Sequence, residues 1–97
     1  MDDTKYVFTK GNHSVLWHKY GFDVVEAKNG AGYVDSTYEL SADGLSIAIF
    51  RCYFLEGAFL GPSNRDRTMK IISLIRDVAE RLFSLGQRKA HEWWLEQ

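Results

Sequence analysis

Apolar positions recur with a helical period over the last third of the chain, from Ser63 to Gln97. At about 100° per residue, Ile71, Leu74, Ile75, Val78, Ala79, Leu82, Leu85, Ala90 and Trp93 share one arc, and Arg65, Asp66, Lys70, Arg76, Asp77, Glu80, Arg81 and Arg88 lie largely outside it. Ser63 is a fitting N-cap, with Asp66 three residues on meeting the positive end of the helix dipole and Pro62 discouraging extension backwards. An unbroken helix from Asn64 to Glu96 would run about 50 Å at 1.5 Å per residue. A compact chain of this size has a radius of gyration of only about 13 Å. Gly86 offers a stop, after which Arg88 to Glu96 would form a short helix folding Trp93 and Trp94 back. In the alternative, Gly86 and Ala90 permit a close approach and the tryptophans bury themselves in a second subunit or another partner.

Upstream the period changes to two. Tyr6, Val7 and Phe8 make a β-prone run within Lys5 to Thr9, closed by Lys10-Gly11-Asn12. From Ser14 to Tyr20, Val15 and Trp17 share one face, and Leu16 and His18 the other. From Phe22 to Ala27, Phe22, Val24 and Glu26 alternate with Asp23 and Val25. Lys28-Asn29-Gly30-Ala31-Gly32 precedes a last alternating run, Tyr33 to Leu40, and Asn29-Gly30 is the strongest hairpin signal in the chain. These runs predict an antiparallel meander of three or four strands with one face covered.

Between the two patterns, Leu45, Ala48, Ile49, Cys52 and Phe59 have helical spacing, with Ser41 or Asp43 as N-cap. Ile47, Phe50, Tyr53 and Phe54 make the segment apolar almost all round, so a buried strand competes. Its length and the lack of an internal turn favour a helix. The expected fold is α+β and one domain over 1–97: a meander over 5–40, an apolar helix over 41–60 and a C-terminal helical region over 63–97.

Charge adds little to this picture. Lys and Arg number 12 against 13 Asp and Glu, and no clustered basic surplus marks a phosphate-backbone binder. The first 62 residues hold five cations against eight acids, and the remainder seven against five. The start lacks the basic and apolar regions of a signal peptide, and no run approaches the roughly 20 apolar residues of a membrane span. Those features read as a cytoplasmic protein without a membrane partner, active in the host cytoplasm if carried by a phage.

Chemistry-bearing residues are sparse. Cys52 sits among apolar neighbours and reads as a buried thiol. His13 and His18 should point to opposite faces of a strand, no carboxylate or cysteine stands at a complementary spacing, and no metal or cofactor is expected. Asp23, Glu26, Asp35, Glu39 and Asp43 occupy polar strand positions or turns. No nucleophile elbow or phosphate-cradling loop is present, so the expected protein is not an enzyme.

Aromatic side chains are abundant instead, and they are favoured interface anchors because they bury large areas with few rotors. The candidate partner-binding residues are Trp93, Trp94 and Arg88 in the terminal helix and Trp17, Tyr20, Tyr33 and Tyr38 in the meander. Arg65, Arg67, Lys70, Arg81, Arg88 and Lys89 are the candidates for a nucleic-acid surface, although interleaved acids at i,i+4 spacing also describe a solvated helix face.

From Lys5 to Leu55 the order of features resembles uncharacterised small proteins carried by tailed phages and prophages: the Tyr6-Val7-Phe8 strand, Val24-Val25 leading to Lys28-Asn29-Gly30-Ala31-Gly32, then Tyr33, Tyr38 and an apolar helix. It contains no diagnostic motif and leaves out the terminal helix. The resemblance implies no catalytic residues, but a protein-binding accessory inhibitor that sterically blocks a host defence or nucleic-acid-processing enzyme. A homodimer through the C-terminal helix and a small nucleic-acid-binding regulator remain the alternatives.

Overall fold

Short turns joining alternating runs leave the first forty residues little choice but a meander. The computed structural model describes residues 4–59 and 65–97. Strands β1 (Lys5–Lys10), β2 (His13–His18), β3 (Gly21–Lys28) and β4 (Ala31–Glu39) form an antiparallel sheet in the order β1-β2-β3-β4. Asn29 and Gly30, at φ 53° and 80°, supply the positive pair that a two-residue hairpin turn demands. The β2–β3 register sets Val15 opposite Val24 and Trp17 opposite Phe22, so the buried positions of both strands share one face. His13 joins this face and His18 the other.

Three helices complete the fold: α1 (Ala42–Leu55), α2 (Arg65–Leu85) and α3 (Gln87–Leu95). Ser41 caps α1, its hydroxyl accepting the Gly44 N–H at 2.9 Å. Leu45, Ala48, Ile49 and Cys52 are fully buried at helical spacing, which settles the competition with a strand: a helix can aim all four at the sheet. Of the other apolar side chains of this segment, Tyr53 and Leu55 pack partly against the core, and Ile47, Phe50 and Phe54 are left exposed.

The long C-terminal pattern is broken where glycine permits it. Gly86 adopts φ 87°; its N–H bonds to the carbonyls of Leu82 and Phe83, and its carbonyl accepts the Ala90 N–H at 2.9 Å. One residue thus closes α2 and opens α3, and the radius of gyration stays at 13.2 Å. The proposed cap Ser63, with Pro62 and Asn64, lies outside the described residues, as does the chain start at Met1 to Asp3.

Ile75, Ala79 and Leu82 of α2 and Ala90 of α3 join the core made by Val7, Val15, Phe22, Val24 and the buried face of α1. Phe83 lies flat on Trp17, with ring centroids 5.3 Å apart and planes within 4°. The Gln87 amide donates to the Trp17 carbonyl at 2.6 Å, fixing where α3 begins. Trp17 is therefore a core residue, only 8% exposed, and the expectation that it anchors a partner is corrected. Its alternation partner Val15 already pointed inward; what the strand pattern lacked was the aromatic residue of α2 that covers it.

Candidate functional site

Two tryptophans adjacent on a helix point about 100° apart, so a short helix lying on a sheet edge cannot use both in the same way. α3 packs on β1, the edge strand. Trp94 turns toward the strand: its ring stacks on Tyr6 at 5.4 Å and on His91 at 5.6 Å, and its Nε1 donates to the Thr9 hydroxyl at 2.7 Å. His91 Nδ1 donates to the Tyr6 carbonyl at 2.7 Å. Trp94 is thus a clasp holding α3 to β1. Trp93 faces away from it and remains 39% exposed.

What Trp93 faces is the flank of α2. Only Ile75, Ala79 and Leu82 of α2 are buried. Ile71 and Val78 pack against the core in part, but two leucines of the arc predicted to face it do not reach it: Leu74 is 53% exposed and Leu85 39%. Lys70, Leu74, Val78, Arg81 and Leu85, at helical spacing, make one ladder along this flank. The kink at Gly86 brings Trp93 against its far end, closing a groove of about 250 Å³ lined by Val78, Arg81, Leu82, Leu85 and Trp93. A wider depression of about 510 Å³ lies on the strand side, lined by Phe8, Thr9, Trp93, Trp94, Leu95 and Gln97. Trp93 is the wall between them.

The other sequence candidates do not converge here. Tyr20 is exposed on the β2–β3 turn with the Lys19 ammonium over its ring, and Tyr33 is exposed on β4, the sheet edge opposite α3. Tyr38 packs against the core and is half-buried, which leaves only part of its ring for a partner. Arg88 is exposed and pairs with Glu92 at 3.5 Å. Arg65, Arg67, Lys70, Arg81 and Lys89 are all exposed along α2 and α3. Arg67, Lys70 and Arg81 stand on the groove ladder, Arg67 about five turns before Leu85, and Arg65 does not.

The titratable groups act as pins between elements. His18 Nδ1 accepts the Tyr20 N–H at 3.2 Å, so Nε2 carries the proton and donates to Asp23 at 3.0 Å, and Thr37 donates to the same oxygen at 2.9 Å. Arg51 of α1 grips Asp35 of β4 with two bonds, 2.9 and 3.3 Å, and holds that carboxyl below its ordinary range. Burial pushes the Cys52 thiol up to about 12, which leaves it protonated and inert at neutral pH. Among the described residues no buried side-chain polar atom lacks a partner and no cluster of three metal-ligating side chains occurs.

Glu56, at the end of α1, bonds His13 at 2.7 Å and accepts the Asn12 N–H at 3.3 Å, closing the β1–β2 turn onto the helix. The His13 bond lowers the Glu56 carboxyl below its ordinary value, burial opposing it and the Asn12 bond adding to it. A depressed folded-state pKa stabilises above the unfolded-state value, and that contribution is lost as pH falls through the folded one. Thermal unfolding followed from pH 7 to pH 3 should therefore show wild-type stability falling below about pH 4.5 more steeply than that of Glu56→Gln. Parallel curves would remove Glu56 from the acid response.

No helix among the described residues is long and apolar enough to cross a membrane. Comparison with known protein families, with curated proteins and with solved structures finds no match to this chain.

Proposed function

We propose that the chain is a non-enzymatic protein-binding module that works by occluding a functional surface of its partner. The observation that carries this is the exposed ladder of α2 facing Trp93. Leu85 and Trp93 left part-exposed in one groove, with Leu74 exposed further along the same flank and a core whose buried side-chain polar atoms are satisfied among the described residues, are the makings of an interface with a central anchor and a polar rim. In keeping with the resemblance over Lys5 to Leu55, the partner is a host defence or nucleic-acid-processing enzyme met in the cytoplasm. A net charge near zero and the apolar side chains beside Lys70 and Arg81 suit a protein surface better than a phosphate backbone, so the nucleic-acid regulator is the second reading.

Affinity capture from native host extract, run in parallel with wild type and Leu74→Glu, tests this reading. Specific partners should be retained by wild type and lost by the variant, with both proteins giving the same circular dichroism. Trp93→Ala should weaken capture more than about tenfold, the scale of a central aromatic anchor. Equal retention by all three proteins would move the interface away from α2 and α3.

A further inference from the structure

Resting on that reading, we infer that the groove between α2 and α3 receives an acidic amphipathic helix of the partner protein. Shape is the first argument. Leu74, Val78 and Leu85 form a ridge along one side of α2, spanning about 17 Å at 1.5 Å per residue, with Trp93 rising opposite its Val78 to Leu85 end. A trough between two helices, with knobs repeating each turn, is filled by a third helix presenting apolar residues at i, i+3, i+4 and i+7. An extended strand would find no free sheet edge here, because α3 covers β1.

Charge selects among helices. Lys70 and Arg81 stand on the same ladder as the leucines, and Lys89 lies one turn before Trp93 on α3. The i,i+4 pairs expected from the sequence, Asp66 with Lys70 and Asp77 with Arg81, do not close. None of the three cations has an ion-pair partner among the described residues. The acids of α2 lie on the side of these cations away from the leucines: Asp77 is about 20 to 40° round the wheel from Lys70 and Arg81 and about 60° from the ladder's centre, with Asp66 and Glu80 further round. Unneutralised cations flanking an apolar strip attract carboxylates on the rim of an incoming helix and repel a basic one. A second copy docked ladder to ladder would instead bring the same cations together on an apolar seam. Nucleic acid would have to leave Leu74 and Leu85 against a phosphate backbone.

The test uses the full chain and two fluorescein-labelled synthetic helices of about 18 residues, or five turns. Both carry leucine at i, i+4, i+7 and i+11; one has glutamate on its flanks and the other lysine. Fluorescence anisotropy should show the glutamate helix binding at least about tenfold more tightly, with the difference shrinking as salt rises. The double variant Lys70→Glu/Arg81→Glu, folded by circular dichroism, should reverse the preference. Equal affinities, or no binding of either helix, overturn the inference. So does sedimentation as a dimer that Leu74→Glu dissociates, since the groove is then filled by a second copy. If the peptides fail while Leu74→Glu still abolishes partner capture, the protein-binding reading stands without the acidic helix. If capture is also unchanged, both fall.

Discussion

Phe22→Ala is expected to lower the stability of the fold by about 3 to 5 kcal/mol, the range for emptying a fully buried phenylalanine site. The ring of Phe22 meets Trp17 edge-on at 5.0 Å and Phe83 at 6.3 Å, and its strand neighbour across β4 is Tyr38. It therefore stands where β3, β2, β4 and the end of α2 meet. Removing it deprives three aromatic groups of their common wall, and rigid rings on different elements cannot collapse together into the space. Domains of this size have about 5 to 15 kcal/mol in total, so the variant should sit near the edge of folding at 37 °C. Urea unfolding checks this through a lower midpoint at an unchanged slope. Phe22→Leu, which keeps most of the volume, should cost about 1.5 kcal/mol or less. Equal midpoints for wild type and Phe22→Ala would mean that the aromatic cluster does not hold the helices to the sheet.

That cluster also shows what a linear pattern contains and what it omits. The period-two runs and the Asn29-Gly30 turn specify the meander, because side-chain alternation and a positive-φ turn are local constraints. The kink at Gly86 was legible as a glycine within a helical pattern too long for its domain. The faces of β2 follow the alternation, which places Val15 and Trp17 together. Trp17 nonetheless read as an anchor, since its cover, Phe83, comes from a residue far along the chain whose position no local rule supplies.

The groove was hidden for the opposite reason. A helical wheel assigns every apolar residue of one arc to the core, and it has no way to know how wide a stripe the neighbouring layer will cover. α2 rests on α1 along Ile75, Ala79 and Leu82, a stripe narrower than its apolar arc. Leu74 and Leu85 were thus in the predicted arc but on its uncovered margin, with Val78 half-covered between them. Basic residues suffered a similar ambiguity: spacing suggested that Asp66 and Asp77 neutralise Lys70 and Arg81, and the side chains do not meet. An apolar arc wider than the available cover, with cations along its border, is the signal that such a surface leaves in a sequence.

The largest effect expected outside the core separates the two tryptophans. Trp94→Ala should cost about 2 kcal/mol, below the range of about 3 to 5 for a fully buried aromatic because the ring is only partly buried. The loss combines stacking on Tyr6 and His91 with the hydrogen bond to Thr9, whose hydroxyl keeps Ser14 at 3.0 Å and so is not stranded. Since α3 is nine residues long, too short to persist alone, losing the clasp should release it as a unit. Hydrogen exchange should then show the amides of α3 opening while those of β2 and β3 stay protected. Trp94→Phe, which retains a ring but no donor, should fall between. Trp93→Ala removes an exposed ring and should change stability by about 1 kcal/mol or less, its effect appearing in binding instead. Were Trp93→Ala to destabilise as much as Trp94→Ala, Trp93 would belong to the core, and the groove beside it would lose its wall as a site of recognition.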